Sequence, residues 1–147
     1  MTAIVASIYR QEPESTEAAG LTSVSPSRRA VWVGRGLTAL AAAFLAFDAS
    51  VKVLALPIAA DATAKLGWPV EVVPTIGAVQ IICLVAYLIP RTAPLGAILW
   101  TGYLGGAVAT HVRVGNPMFE TIFPIIVATI LWTGLWLRDR RVRGLTA

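Results

Sequence analysis

The chain has 147 residues, 56% of them hydrophobic and only 14% charged, with a formal net charge of +4. A typical soluble domain is about 45–50% apolar and about 25% charged, so this composition excludes an ordinary soluble core, which has no use for the excess apolar surface. The apolar residues fall into four blocks of roughly twenty, the length that spans a hydrocarbon layer about 30 Å thick at about 1.5 Å per helical residue. Composition and blocking together predict an all-α polytopic membrane protein, an antiparallel bundle of four transmembrane helices.

Residues 1–27 contain Gln11, Glu12, Glu14 and Glu17 among scattered Ser, Thr and Pro. They hold no apolar stretch long enough for a signal-peptide core and read as a disordered cytoplasmic tail. The transmembrane domain is expected over residues 28–143, with residues 144–147 as a short C-terminal tail. The first span, residues 36–56 (GLTALAAAFLAFDASVKVLAL), is expected to end at Pro57. The connection PIAADATAKLGWPVE begins as a candidate interfacial helix and turns at Gly67, Trp68 and Pro69. The second span covers residues 70–89, with Pro74 near its start, where an interior N–H is not yet required. The stiff link PRTAP at residues 90–94 makes spans two and three antiparallel neighbours. The third span, residues 95–112, is rich in small residues; HVRVGNP links it to the fourth, residues 119–137, after which RDRRVRG ends the hydrophobicity.

Orientation follows from Lys and Arg, which are retained on the cytoplasmic side. With both ends inside, Arg10, Arg28, Arg29, Arg35, Arg91, Arg138, Arg140, Arg141 and Arg143 are inner, against Lys65 and Arg113 outside. Arginines at the ends of apolar spans account for the positive charge as topology and headgroup signals, so no nucleic-acid partner is expected. Trp32, Trp132 and Trp136 fall at the inner boundary and Trp68 at the outer one, as aromatic belts.

Within the first span, Asp48 and Lys52 are spaced i,i+4 on one helix face, the acid N-terminal to the base. A charge at the centre of a span costs about 2.5–3.5 kcal/mol on insertion scales, so such groups face a protein interior or a water-filled cavity. Two readings stay open for this pair: a neutralised pair that fixes packing, or a functional site with Asp48 and Lys52 as catalytic candidates. Gln80 falls near mid-membrane, and Glu71, His111, Arg113, Asn116 and Glu120 near the outer boundary. Turned inward, Asp48, Lys52 and Gln80 would bound an outward-opening pocket, with Arg113 and Glu120 at its rim; Gln80, Arg113, His111 and Glu120 are the candidates for binding a ligand there. The alternative, favoured for Glu71, Asn116 and Glu120, is that residues at the boundary are polar because they meet water.

Gly102 and Gly106 form a G-x-x-x-G, with Ala109 nearby, that suits close helix packing inside the chain. Continuing the rotation, Arg113 lies near this face and His111 points away, so Arg113 is the expected interior residue. His111, the only histidine, lacks a Cys or carboxylate cluster, and no metal site is expected. Cys83, the only cysteine, cannot form an intramolecular disulfide. No phosphate-binding loop or nucleophile elbow is present.

FDASVKVL, LGWP, IPRTAPLGAILWTGYLGGAVATHVRVGNP and LWTGLWLRDRRVR together resemble the DoxX-like family of small four-helix bacterial membrane proteins, from about residue 36 to 143. The resemblance implies the four-helix fold, a bacterial cytoplasmic membrane location, and polar family-like positions at Lys52, Gln80, His111 and Arg113. In similar sequences the position of Gln80 is often acidic, so this chain lacks one proton carrier. Some relatives in the wider group are associated with redox work, as quinone-linked thiosulfate-oxidising subunits or partners of thiol- and superoxide-handling proteins. A lone cysteine does not match direct thiol–disulfide chemistry.

The first functional expectation is a non-catalytic accessory subunit that docks a redox protein partner. The alternative is a small membrane enzyme, or a quinone- or lipophile-handling protein, in which Asp48 and Lys52 act as an acid–base pair. An oligomeric transporter or channel comes third, because four spans without an inverted repeat are few. No cofactor is evident beyond a quinone or other lipophile; the expected partners are the lipid bilayer, a redox protein or a second copy.

Overall fold

The computed structural model describes residues 27–144. The expected tails therefore lie, but for Ser27 and Gly144, outside the described residues. Among the described residues six α-helices follow in order: α1 Arg28–Val53, α2 Pro57–Lys65, α3 Val73–Leu88, α4 Ala93–Val114, α5 Met118–Arg138 and α6 Arg140–Gly144, with a 3-10 turn Val70–Val72 before α3. No strand occurs among the described residues.

Local chemistry explains the boundaries. Ser27 caps α1, its hydroxyl accepting from the Ala30 N–H at 3.2 Å. Pro57 does not end the first helix as expected. The helix stops at Val53, Ala55 turns the chain at a φ of 48°, and Pro57 opens α2 in its first turn, where no N–H is needed. That short helix is the one anticipated in the connection. Gly115, at a φ of 74°, closes α4, and the Asn116 N–H returns to the His111 carbonyl at 3.1 Å.

Each of the four long helices has two packing neighbours, α1 with α3 and α5, and α4 with the same two. Three helical stretches are long and apolar enough to cross a membrane: Arg28–Val53, Val70–Leu88 and Met118–Arg138. α4 has 22 residues but falls short in hydropathy, its apolar residues diluted by glycines, Tyr103, Thr110 and His111. Only 22–33% of the most apolar window of the three candidate helices is buried inside the chain, and Leu40, Phe47, Ile82, Met118 and Phe119 point outward. A water-soluble surface does not carry so much contiguous apolar area.

The tightest packing lies near the α3–α4 connection. Trp100, Tyr87, Leu131 and Leu135 are fully buried there, and the Tyr87 hydroxyl donates to the Leu131 carbonyl at 2.8 Å. Arg138 stacks over the Tyr87 ring at 5.0 Å and donates to its carbonyl at 3.1 Å. Trp132, expected in the inner aromatic belt, turns to α4 and donates to the Thr101 hydroxyl at 2.9 Å.

The glycines of close approach are not those expected. A Cβ at Gly96 would sit 2.7 Å from the Ala86 carbonyl carbon, and Gly34 and Gly134 serve the α1–α5 contact in the same way. At Gly102 and Gly106 a Cβ would meet nothing within 4 Å, because α4 packs through Gly96, Ala97, Trp100 and Leu104 instead. Gly96→Ala is expected to cost about 1–3 kcal/mol through overpacking and to lower the thermal midpoint in mild detergent. Gly105→Ala, in open space on the same helix, is expected to stay within about 0.5 kcal/mol of the parent.

Candidate functional site

Lys52 lies in the last turn of α1, where a cation complements the helix dipole, and forms a hydrogen-bonded ion pair with Asp48 one turn earlier. Gly77 brings α3 onto this turn: a Cβ there would sit 2.7 Å from the Val53 nitrogen and 3.0 Å from the Ala49 carbonyl oxygen. Three residues further along α3, Gln80 thereby reaches the same carboxylate, its Nε2 donating to Asp48 Oδ2 at 2.7 Å. Gln80 is 1% exposed, and its Oε1 has no hydrogen-bond partner. One carboxylate oxygen thus receives two donors from two helices, which fixes both the Asp48 rotamer and the position of the Lys52 ammonium.

Lys52 faces a cavity of about 450 Å³. Thr75 and Ile76 of α3 line one side and Gly102, Tyr103, Gly106, Ala107, Thr110 and His111 of α4 the other. Thr63, Leu66, Trp68 and Val72, from α2 and the turns after it, cover the end away from the buried Tyr87–Trp100 packing. Tyr103 stands edge-on to Trp100 at 5.4 Å, which ties the cavity floor to that core. The wall is apolar for most of its area, with Lys52, Tyr103, three threonines and His111 as isolated polar points.

Asp48, Lys52 and Gln80 converge, but only Lys52 of the three lines the cavity. Of the pocket candidates Gln80, Arg113, His111 and Glu120, it is His111, expected to point away from the glycine face, that lines it. His111 lines the cavity, with the Asn116 side-chain nitrogen 2.8 Å from its Nδ1 and Glu120 Oε2 3.6 Å away. Arg113 is exposed and donates to the Leu66 carbonyl at 2.7 Å, so it ties α4 to the connector instead of entering the cavity. Arg113 and Ala109 line a separate recess of about 380 Å³ with Gly67, Trp68 and Thr110. The reason is the rotation of α4, whose cavity side is centred on Tyr103, Ala107 and Thr110. Glu120 stays half-exposed beside His111 and does not line the cavity.

Sequence reasoning missed Thr63, Trp68, Thr75, Tyr103 and Thr110. The available signal was Tyr103, Ala107 and Thr110 at helical spacing, a small-and-polar stripe on an otherwise apolar segment. Cys83 is buried, and no group of three or more His, Cys, Asp or Glu that could hold a metal occurs among the described residues.

An all-helical chain with an apolar exterior and three helices able to cross a bilayer fits a membrane location. The sequence matches the DoxX-like family over residues 36–134, more than half its length, and the chain belongs to that family. No curated protein and no solved structure matches it.

The ion pair has a measurable signature. Asp48→Ala and Lys52→Ala are each expected to lower the detergent thermal midpoint more than the double variant does. Either single change leaves an uncompensated charge, giving a coupling energy on the order of 1 kcal/mol.

Proposed function

We propose that this chain crosses the bacterial cytoplasmic membrane four times, both ends cytoplasmic, and binds a small neutral lipophile in the outer half of the bilayer. The observation that carries the reading is the Lys52 ammonium, held by Asp48 and facing a largely apolar cavity. A volume of about 450 Å³ falls within the range of small-molecule sites, about 300–1,000 Å³.

The lining selects the ligand's chemistry. Because Asp48 balances Lys52 inside the same pair, a charged head group would be left without a counter-charge in a medium of low dielectric. The Lys52 N–H groups not used on Asp48 suit a carbonyl, ether or hydroxyl oxygen, and the apolar wall suits a ring or an alkyl chain. A quinone has this form, which agrees with the redox associations of the wider group. Lys52 binds, while Asp48 and Gln80 position it.

Four spans are supported by α4 filling the fourth side between α3 and α5, and the orientation by the basic residues at the α3–α4 link and around α6. α2 then lies at the outer surface and the Arg91 link at the inner one. In a Cys83→Ala background, a membrane-impermeant maleimide added to spheroplasts is expected to label Ala62→Cys directly and Arg91→Cys only after permeabilisation. The reverse pattern refutes the orientation.

For the ligand, hexadecanol carrying a mid-chain diazirine is photolysed with the protein in phosphatidylcholine nanodiscs, and labelled residues are mapped by mass spectrometry. Label is expected at the cavity segments of α3 and α4, and Lys52→Met is expected to reduce it about tenfold, the loss of one hydrogen bond from a charged donor. Equal labelling of parent and variant, or label spread evenly over all outward-facing helix surfaces, would show the reading to be wrong.

A further inference from the structure

The cavity is closed and open on different sides. On the connector side, Thr63 is buried and Leu66 partly so, and the Arg113 guanidinium bonds the Leu66 carbonyl at 2.7 Å, tying this cover to α4. Between α3 and α4 the lining residues Thr75, Gly102 and Gly106 are exposed. The outward face of α4 also changes character along its length. Leu95, Ile98 and Leu99 project from it beside the tight α3–α4 packing, and Gly102, Gly105 and Gly106 follow where the cavity begins. A Cβ on any of these three glycines would meet nothing within 4 Å, so close packing inside the chain does not account for them. Two of them, Gly102 and Gly106, line the cavity; Gly105 does not.

We propose that the cleft between α3 and α4 is a lateral doorway through which a lipid-soluble ligand enters the cavity from the bilayer, with Gly102 and Gly106 as its sill. The proposal rests on the lipophile-binding reading above. Leucines continued at these two positions would stand in the cleft, as Leu95, Ile98 and Leu99 do nearer the α3–α4 link. Glycine leaves an opening whose edge is backbone, already hydrogen-bonded within the helix, so an apolar molecule passes no unsatisfied polar group. A ligand that partitions into the bilayer is already concentrated at such an opening, and passage through it requires no transfer through water.

The time course of labelling by the diazirine hexadecanol, premixed into the nanodisc lipid, tests this. Gly102→Leu and Gly106→Leu fit open space and leave the fold intact. Each is expected to lengthen the half-time of cavity labelling about tenfold, the effect of crowding a narrow passage by a side chain. Gly105→Leu, on the same exposed face but off the cavity, is expected to label at the parental rate. Cavity label in the parent with unchanged rates in both cavity-lining variants overturns the doorway and leaves ligand binding standing. An equal slowing in Gly105→Leu also overturns it and points to a contact with a second copy across this face. Absence of cavity label from the parent itself overturns the binding reading, and the doorway with it.

Discussion

At the α3–α4 link, Gly96 lies so near the Ala86–Tyr87 backbone that no side chain fits between the two helices. That contact lets Tyr87 reach the Leu131 carbonyl on α5 and brings its ring and carbonyl under Arg138. Three helices are thereby joined at one end by a fully buried tyrosine, with Trp100 filling the remaining space. The other end is arranged differently. There Gly77 draws α3 onto α1, while α4 packs with neither of them closely along Gly102 and Gly106. A bundle drawn together at one end and divided at the other encloses a cavity at the divided end, and α2 lies across it as a cover.

The polar cluster belongs to the same geometry. An acid and a base one turn apart on α1 neutralise each other without help from another helix, and a spanning helix tolerates the pair for that reason. Gln80 adds a donor from α3 without adding charge, so the cluster holds one carboxylate and one ammonium. A second acid at this position would leave the site net negative and would need a proton or a cation to balance it. The neutrality of the site in this chain is the ground on which an uncharged head group is proposed as its ligand. The accessory role expected from the sequence was motivated by the lack of a complete constellation there, and the cavity beside Lys52 is what motivates the ligand-binding proposal instead.

Several features were legible before any coordinates. Hydrophobic blocking located the long helices, proline and glycine marked most of the turns, and i,i+4 spacing identified the Asp48–Lys52 pair. The errors share one cause. In a soluble helix the apolar side is the buried side, so the sequence reveals its rotation. α4 has no sharply apolar side, and its rotation was judged from its small residues, which mark close contact in some helices and open space in others, and not from the fainter Tyr103–Ala107–Thr110 stripe. Gly102 and Gly106 were therefore assigned to packing, and Arg113 was preferred to His111 for the interior. The glycines that do pack, Gly34, Gly77, Gly96 and Gly134, form no G-x-x-x-G and carry no spacing that separates them from the rest.

By itself, the sequence determined that this is a helical membrane-type chain with one charge pair inside a span, because run length and residue spacing act locally along a helix. Which faces meet was decided only in the tertiary structure. Helix rotation depends on the shapes of side chains from several segments at once, and a surrounding as apolar as the side chains themselves gives no preference for one face over another.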